Sequence, residues 1–212
     1  MESLTIRLLG IPEVSVGEQS LSFRTRKVLA LLIYLAVERR MHSRESLMAM
    51  LWPESPAKSA AVSLRTAMSR LRKALQPAGD ILIAEGGNVG FDSNYFIDLD
   101  LDWLRTAAHE ETPDELRSIL TVDRGGFLEG FSLPDASTFD TWVSIQRETC
   151  QRQLEEVYDR LSQQLLTIQD SAAAVETSVR WVARAPLSEQ AYRRHMAAQA
   201  LNGQRPAALL TY

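Results

Sequence analysis

Two runs decide the fold: FRTRKVLALLIYLAVERRMHSRESLMAMLWPES, residues 23–55, and AAVSLRTAMSRLRKAL, residues 60–75. The first predicts a helix from about Thr25 to Val37, with Val28, Leu31, Leu32 and Leu35 on one face. Its other positions are also largely apolar, so it reads as a buried central helix. Ser43 is a good N-cap for a second helix that turns Leu47, Met48, Leu51 and Trp52 inward, and Pro53 stops it. A short Glu-Ser-Pro-Ala connection leads to a third helix, Lys58 to Gln76, which Pro77 ends.

Outward from this core, LTIRLL (residues 4–9) and residues 14–23, broken by Pro12 and Gly17-Glu18, read as short strands. After the third helix, ILIAEGGNVGF (residues 81–91) has the strand, Gly-Gly-Asn turn, strand form of a hairpin. Strands, three helices and a closing hairpin make a winged helix-turn-helix.

At 100° per residue, Ala61, Leu64, Met68, Leu71 and Leu75 share the core face of the third helix. The opposite face presents Lys58, Val62, Thr66, Ser69 and Lys73, flanked by Arg65 and Arg70, with Arg72 nearer the core boundary. A helix lying in a major groove needs such a set. Arg reads guanine with two hydrogen bonds, Ser and Thr serve bases or phosphates, and Lys supplies charge.

Charge is distributed accordingly. The 212 residues carry a net −4, yet residues 24–73 hold eleven Lys and Arg against three acids, leaving +8. A basic block in an otherwise acidic chain is the electrostatic footprint of a nucleic-acid binder. A protein-interaction scaffold, the competing class, has no need of such a block.

The remaining half is helical in pattern. IDLDLDWL places Asp98, Asp100 and Asp102 at alternate positions, without the Gly and Glu of a calcium loop, so these acids are expected to cap a helix over Leu101 to His109. From Thr138 onward apolar residues recur with helical spacing. Gly203-Gln204-Arg205-Pro206-Ala207-Ala208 follows Gln169-Asp170-Ser171-Ala172-Ala173-Ala174 at an offset of 34, and Tyr192 follows Tyr158 at the same offset. Helix pairs at that period, with small Ala at the crossings, are the mark of tetratricopeptide-like repeats, which stack into binding surfaces. Tyr158 and Tyr192 are therefore expected to be at least half buried. The second helix of the last repeat is still open at Tyr212, which suggests a chain that continues further.

No Gly is followed by Lys, so there is no phosphate loop. His42, His109 and His195 stand far apart and show no metal-ligand spacing with Cys150, the single cysteine. No nucleophile elbow or dinucleotide fingerprint occurs. The expectation is a protein without enzymatic activity, catalytic residues, metal or cofactor. The lone cysteine, the lack of a signal peptide and the short apolar runs point to the cytoplasm and away from membranes.

FRTRKVLALLIYLAVERRMHSRESLMAMLWPES with AAVSLRTAMSRLRKAL resembles the DNA-binding domain of the SARP-type bacterial transcriptional activators, a response-regulator-like winged helix. FLEGFSLPDASTFDTWVSIQRE (residues 127–148) and APLSEQAYRRHMAAQALNGQRPAALLTY (residues 185–212) resemble the helical activator domain that follows it. The resemblance implies a winged helix over 1–97 and a bacterial transcriptional activator domain with helical repeats over 98–212. It also implies sequence-specific binding to direct repeats near promoters and recruitment of RNA polymerase; the helical repeat domain is expected to serve self-association or contact with RNA polymerase, with a homodimer on DNA as one form. Carried over, SRLRKAL puts Ser69, Arg70, Arg72 and Lys73 on the groove-facing part of the recognition helix. Arg44 falls where a phosphate contact is expected. The acidic tip Glu85-Gly86-Gly87-Asn88 departs from the basic wing tips of the family and argues against minor-groove reading. Longer relatives append an ATPase module, so the N-terminal part of such a regulator is an alternative.

Overall fold

A computed structural model describes residues 3–106 and 112–211. It divides into two compact units: residues up to Leu101 with Phe127–Arg147, and Asp102–Gly126 with Glu148 onward.

The first unit opens with β1 (Leu4–Arg7), β2 (Glu13–Val16) and β3 (Gln19–Ser20). Leu4, Ile6, Val14 and Val16 alternate inward, as one buried face of a sheet requires. β7 (Ile97–Leu99) joins the far side of β1 in parallel, giving the order β3-β2-β1-β7. α1 (Arg26–Glu38) buries nine residues and is the central helix of the unit. A two-residue strand, β4 (His42–Ser43), precedes α2 (Arg44–Leu51), whose Ser46 N–H is accepted by the Ser43 hydroxyl. α3 (Ala57–Leu75) follows, and then the hairpin of β5 (Leu82–Glu85) and β6 (Asn88–Phe91). Gly86 and Gly87 have φ of 56° and 84°, the pair of positive values that a two-residue type I′ turn demands. β4 pairs with β6, Ser43 opposite Asn88, so the wing is tied to the start of α2.

The stripe of α3 that faces inward differs from expectation at one position. Ala60, Leu64, Ala67, Met68, Leu71 and Leu75 are buried, while Ala61 is exposed. Counted from Leu64, Ala60 lies 40° to one side of the stripe and Ala61 60° to the other, and Ala67 fixes the tilt toward Ala60.

The three aspartates do not cap a helix as a group. Asp98 lies in β7 and pairs with Arg7 at 2.5 Å. Asp100 is fully buried, and its Oδ2 accepts the N–H groups of Leu8 and Leu9 at 2.7 and 2.8 Å. Asp102 meets Arg105 at 3.1 Å. Each carboxylate thus answers a separate cation or amide. The helix itself, α4, covers Asp100–Thr106, and its expected extension to His109 lies outside the described residues.

Residues 127–147 pack with the winged helix through main chain and aromatic rings. Leu128 N–H donates to Leu8 carbonyl and Glu129 N–H to Gly10 carbonyl. The Arg147 guanidinium holds the carbonyls of Phe127, Leu128 and Phe131. Trp142 donates its indole N–H to Glu38 at 2.9 Å and meets Tyr34 edge-on at 5.1 Å.

In the second unit, α5 (Pro113–Leu120) starts with a capping box between Thr112 and Glu115. It is followed by the later turns of α6 (Ser137–Thr167), then α7 (Ser171–Arg184), α8 (Glu189–Leu201) and α9 (Arg205–Thr211). The 34-residue period is present in the hydrogen bonds themselves. Ile168, Gln169 and Asp170 donate to Gln164, Leu166 and Leu165; Asn202, Gly203 and Gln204 donate to Ala198, Ala200 and Gln199. Gln169 and Gly203 both turn with positive φ, 61° and 78°. Tyr158 is 2% exposed and Tyr192 is between buried and exposed, as the repeat requires. Ala174 is fully buried at its crossing, whereas Ala173 is only partly covered. Ala174→Leu is therefore expected to overpack and cost roughly 1–3 kcal/mol, with a smaller loss for Ala173→Leu, read as melting temperature.

A polar chain crosses the repeat. Ser178 Oγ lies 3.0 Å from His195 Nδ1, and His195 Nε2 lies 2.9 Å from Gln199, which accepts from Thr211. Ser178 already donates to Val175 carbonyl, so it serves the imidazole as an acceptor. Burial holds the His195 pKa below its ordinary value. In the first unit His42, 4.8 Å from the Tyr34 ring, is lowered by burial and by Arg40, with Glu38 opposing. Both favour the neutral ring in the folded state, so stability is fully present above the unfolded value of about 6.5 and declines as pH falls through the folded values. Denaturation midpoints are expected to drop as pH is lowered from neutrality below about 6.5, and His42→Gln with His195→Gln should flatten that slope.

Candidate nucleic-acid interface

The winged helix positions α3 from behind: its inward stripe is clamped by α1 and α2, so its outer face is fixed by packing rather than by its own polar residues. Arg44, Arg65, Thr66, Ser69, Arg70, Arg72 and Lys73 are all exposed. Val62, Ser69 and Lys73 stand near the apex with Thr66 beside them; Arg65 and Arg72 lie on one flank and Arg70 on the other. Val62, 61% exposed, is an apolar residue at the apex, suited to a thymine methyl group. The helical spacing places it there, though polar chemistry alone would not select it.

Thr66 donates its hydroxyl to Val62 carbonyl at 2.9 Å, so toward a ligand it offers an acceptor. Such a group suits the amino donors of cytosine and adenine better than a phosphate. Around Arg44, two of the first three amides of α2 already have acceptors. Its own N–H donates to Gly87 carbonyl at 3.1 Å, and Ser46 is capped by Ser43. An anion there would be met by the Arg44 guanidinium rather than by the helix end.

Of the eleven bases in residues 24–73, four are engaged internally. Lys27 pairs with Asp135 at 2.7 Å and lies 5.4 Å over the Trp52 ring, Arg40 pairs with Glu38, Arg39 donates to Ile97 carbonyl, and Arg26 reaches Ser132 carbonyl. Eleven less these four leaves Arg24, Arg44, Lys58, Arg65, Arg70, Arg72 and Lys73 without an ion pair or side-chain hydrogen bond among the described residues. Six of the seven are on α2 and α3. Within residues 24–73 the uncompensated charge has thus been sorted onto the helix-turn-helix. The wing contributes none of it, because its one charged residue from Leu82 to Phe91 is Glu85, at the tip.

Among the described residues no group of three or more His, Cys, Asp or Glu gathers where it could hold a metal ion. None of their helices is long and apolar enough to cross a membrane.

A winged helix-turn-helix with a bare cationic outer helix, followed by helical repeats, defines the class as that of a transcription regulator. Residues 91–212 match the family model described as the bacterial transcriptional activator domain, and the chain belongs to that family. This agrees with the SARP-type resemblance of its residues. No curated protein sequence matches the chain. Among solved structures, Mycobacterium tuberculosis EmbR in complex with a low-affinity phosphopeptide is similar over 100% of this chain, with a TM-score of 0.77 and 20% identity. The likeness is one of fold. The chain spans 58% of the length of that EmbR chain.

Proposed function

We propose that the protein is a transcriptional activator that binds double-stranded promoter DNA through α3, on direct repeats. In this reading residues 1–97 provide the DNA-binding part and residues 98–212 the activator part. The helical repeats contact RNA polymerase or a second copy of the chain, giving a homodimer on DNA. Arg65, Thr66, Ser69 and Arg70 meet base edges, while Arg44, Arg72 and Lys73 hold phosphates. The protein acts in the cytoplasm and carries no catalytic chemistry of its own.

The observation that supports this most is the sorting of charge. Within residues 24–73, seven of the eleven cations lack an internal partner among the described residues, and six of these seven line the outer side of one helix-turn-helix. A solvated basic face would not require a rigid hairpin and a buried central helix behind it.

The test is a salt titration of duplex binding by the full chain. If five or six of these cations touch phosphates, log K against log salt is expected to slope by about −4 to −5. Absence of binding to any duplex, or binding indifferent to salt, would overturn the reading.

A further inference from the structure

The C-terminal half of α3 forms one wall of an open depression of about 810 Å³, whose other wall is the segment from β3 to the start of α1. Arg70 and Lys73 belong to the first wall, and Arg24, Ser20 and Ser22 to the second. All five are exposed, and no Asp or Glu lines the cavity. The adjoining groove is instructive by contrast. There Arg70 is joined by Arg26 and Lys27, and the chain supplies its own anion, Asp135, which pairs with Lys27 and has its carboxyl pKa lowered by that hydrogen bond. The first depression has as many basic side chains, three, and no carboxylate in its walls.

We infer that this depression is a phosphate seat, formed by Arg24 with Lys73 and the hydroxyls of Ser20 and Ser22, which holds a backbone phosphodiester of the DNA lying against α3. Arg24 would thus be a DNA-binding residue outside the helix-turn-helix. The inference rests on the proposed function, since Lys73 belongs to both. A guanidinium suits this task because it presents several donors in a plane to phosphate oxygens. A phosphate contact fixes position and carries no sequence information, so Arg24 adds affinity and register but no base preference.

The experiment compares the full chain with Arg24→Ala, Arg24→Lys and Arg24→Glu on two duplexes of unrelated sequence, across a range of salt. Arg24→Ala is expected to weaken both duplexes by the same factor and to reduce the salt slope by about one. Its deficit should therefore shrink roughly threefold between about 50 and 200 mM salt. Arg24→Lys should keep the slope, and Arg24→Glu should lose more than Arg24→Ala. Unchanged melting temperatures are expected, because Arg24 is exposed and has no partner among the described residues. Inorganic phosphate is titrated separately. Saturable binding of free phosphate that depends on Arg24, with duplex binding unaltered, would mean a seat for a free anion and would overturn the proposal. Duplex binding with the same affinity and slope in Arg24→Ala would overturn it as well. If no duplex binds even the unaltered chain, the failure lies with the proposed function itself.

Discussion

Asp123→Ala is expected to destabilise the helical unit by about 3–5 kcal/mol, the usual cost of removing one partner from a buried charged pair. Only 4% of the Asp123 side chain is exposed. Its carboxylate accepts from Arg184 Nε at 3.1 Å and from the Tyr158 hydroxyl at 2.9 Å. Tyr158 is itself buried and stacks on Trp181 with ring planes 11° apart, and burial with the neighbouring carboxylate pushes its phenol well above the ordinary value. Removing Asp123 leaves the Tyr158 hydroxyl without its acceptor and the Arg184 guanidinium with only the Gly125 carbonyl. Asp123→Asn keeps an acceptor for Tyr158 and loses the charge, so an intermediate loss is expected. Urea denaturation measures all three proteins. A loss below about 1 kcal/mol for Asp123→Ala would mean that the pair is open to water.

Trp142→Ala is expected to cost the first unit a similar amount, about 3–5 kcal/mol, because a large buried aromatic is replaced by a void. Trp142 is 9% exposed and contacts Tyr34, Phe127 and Phe139, with ring centroids 5.1, 5.9 and 5.4 Å away. Its N–H also satisfies Glu38. Trp142→Phe retains most of the ring contact and removes only that hydrogen bond, so it separates packing from polarity. Tyr34 lies between Trp142 and His42, and His42 precedes Ser43, the cap of α2. Loss of the indole is therefore expected to loosen the start of α2 and to raise its amide exchange as well as to lower the melting temperature.

The elements that were legible in the sequence are those with local signals. Ser43 and Pro53 bracket α2, Gly86-Gly87 fixes the hairpin, and the apolar spacing of α1 and α3 gives their buried sides. The repeat was legible because its turns are set by short segments: Gln169 and Gly203 do the same work 34 residues apart. What the sequence hid depends on partners far along the chain. Asp100 looks like a helix cap until Leu8 and Leu9 present their amides to it. The packing of residues 127–147 with the winged helix rests on Arg147 and on backbone bonds to Leu8 and Gly10, which no periodicity announces. Of the candidate interface, the residue types on α3 were legible, but not which of the eleven bases keep an internal partner. Lys27 and Arg40 read like Arg65 and Lys73 in sequence, and only Asp135 and Glu38 set them apart. The same blindness concealed Arg24, which reaches α3 only through the fold.

In the proposed function α3 reads DNA, with Arg70 touching a base and Lys73 the backbone. The most direct measurement selects duplexes from a randomised pool with the full chain, then compares Arg70→Ala and Lys73→Ala on the selected and a scrambled duplex. Arg70→Ala is expected to lose about 1–3 kcal/mol on the selected duplex and to relax the preference at one base pair. Lys73→Ala should weaken both duplexes equally and lower the salt slope by roughly one. A chain that enriches no sequence from the pool, or two variants that bind as the unaltered protein does, would contradict the account.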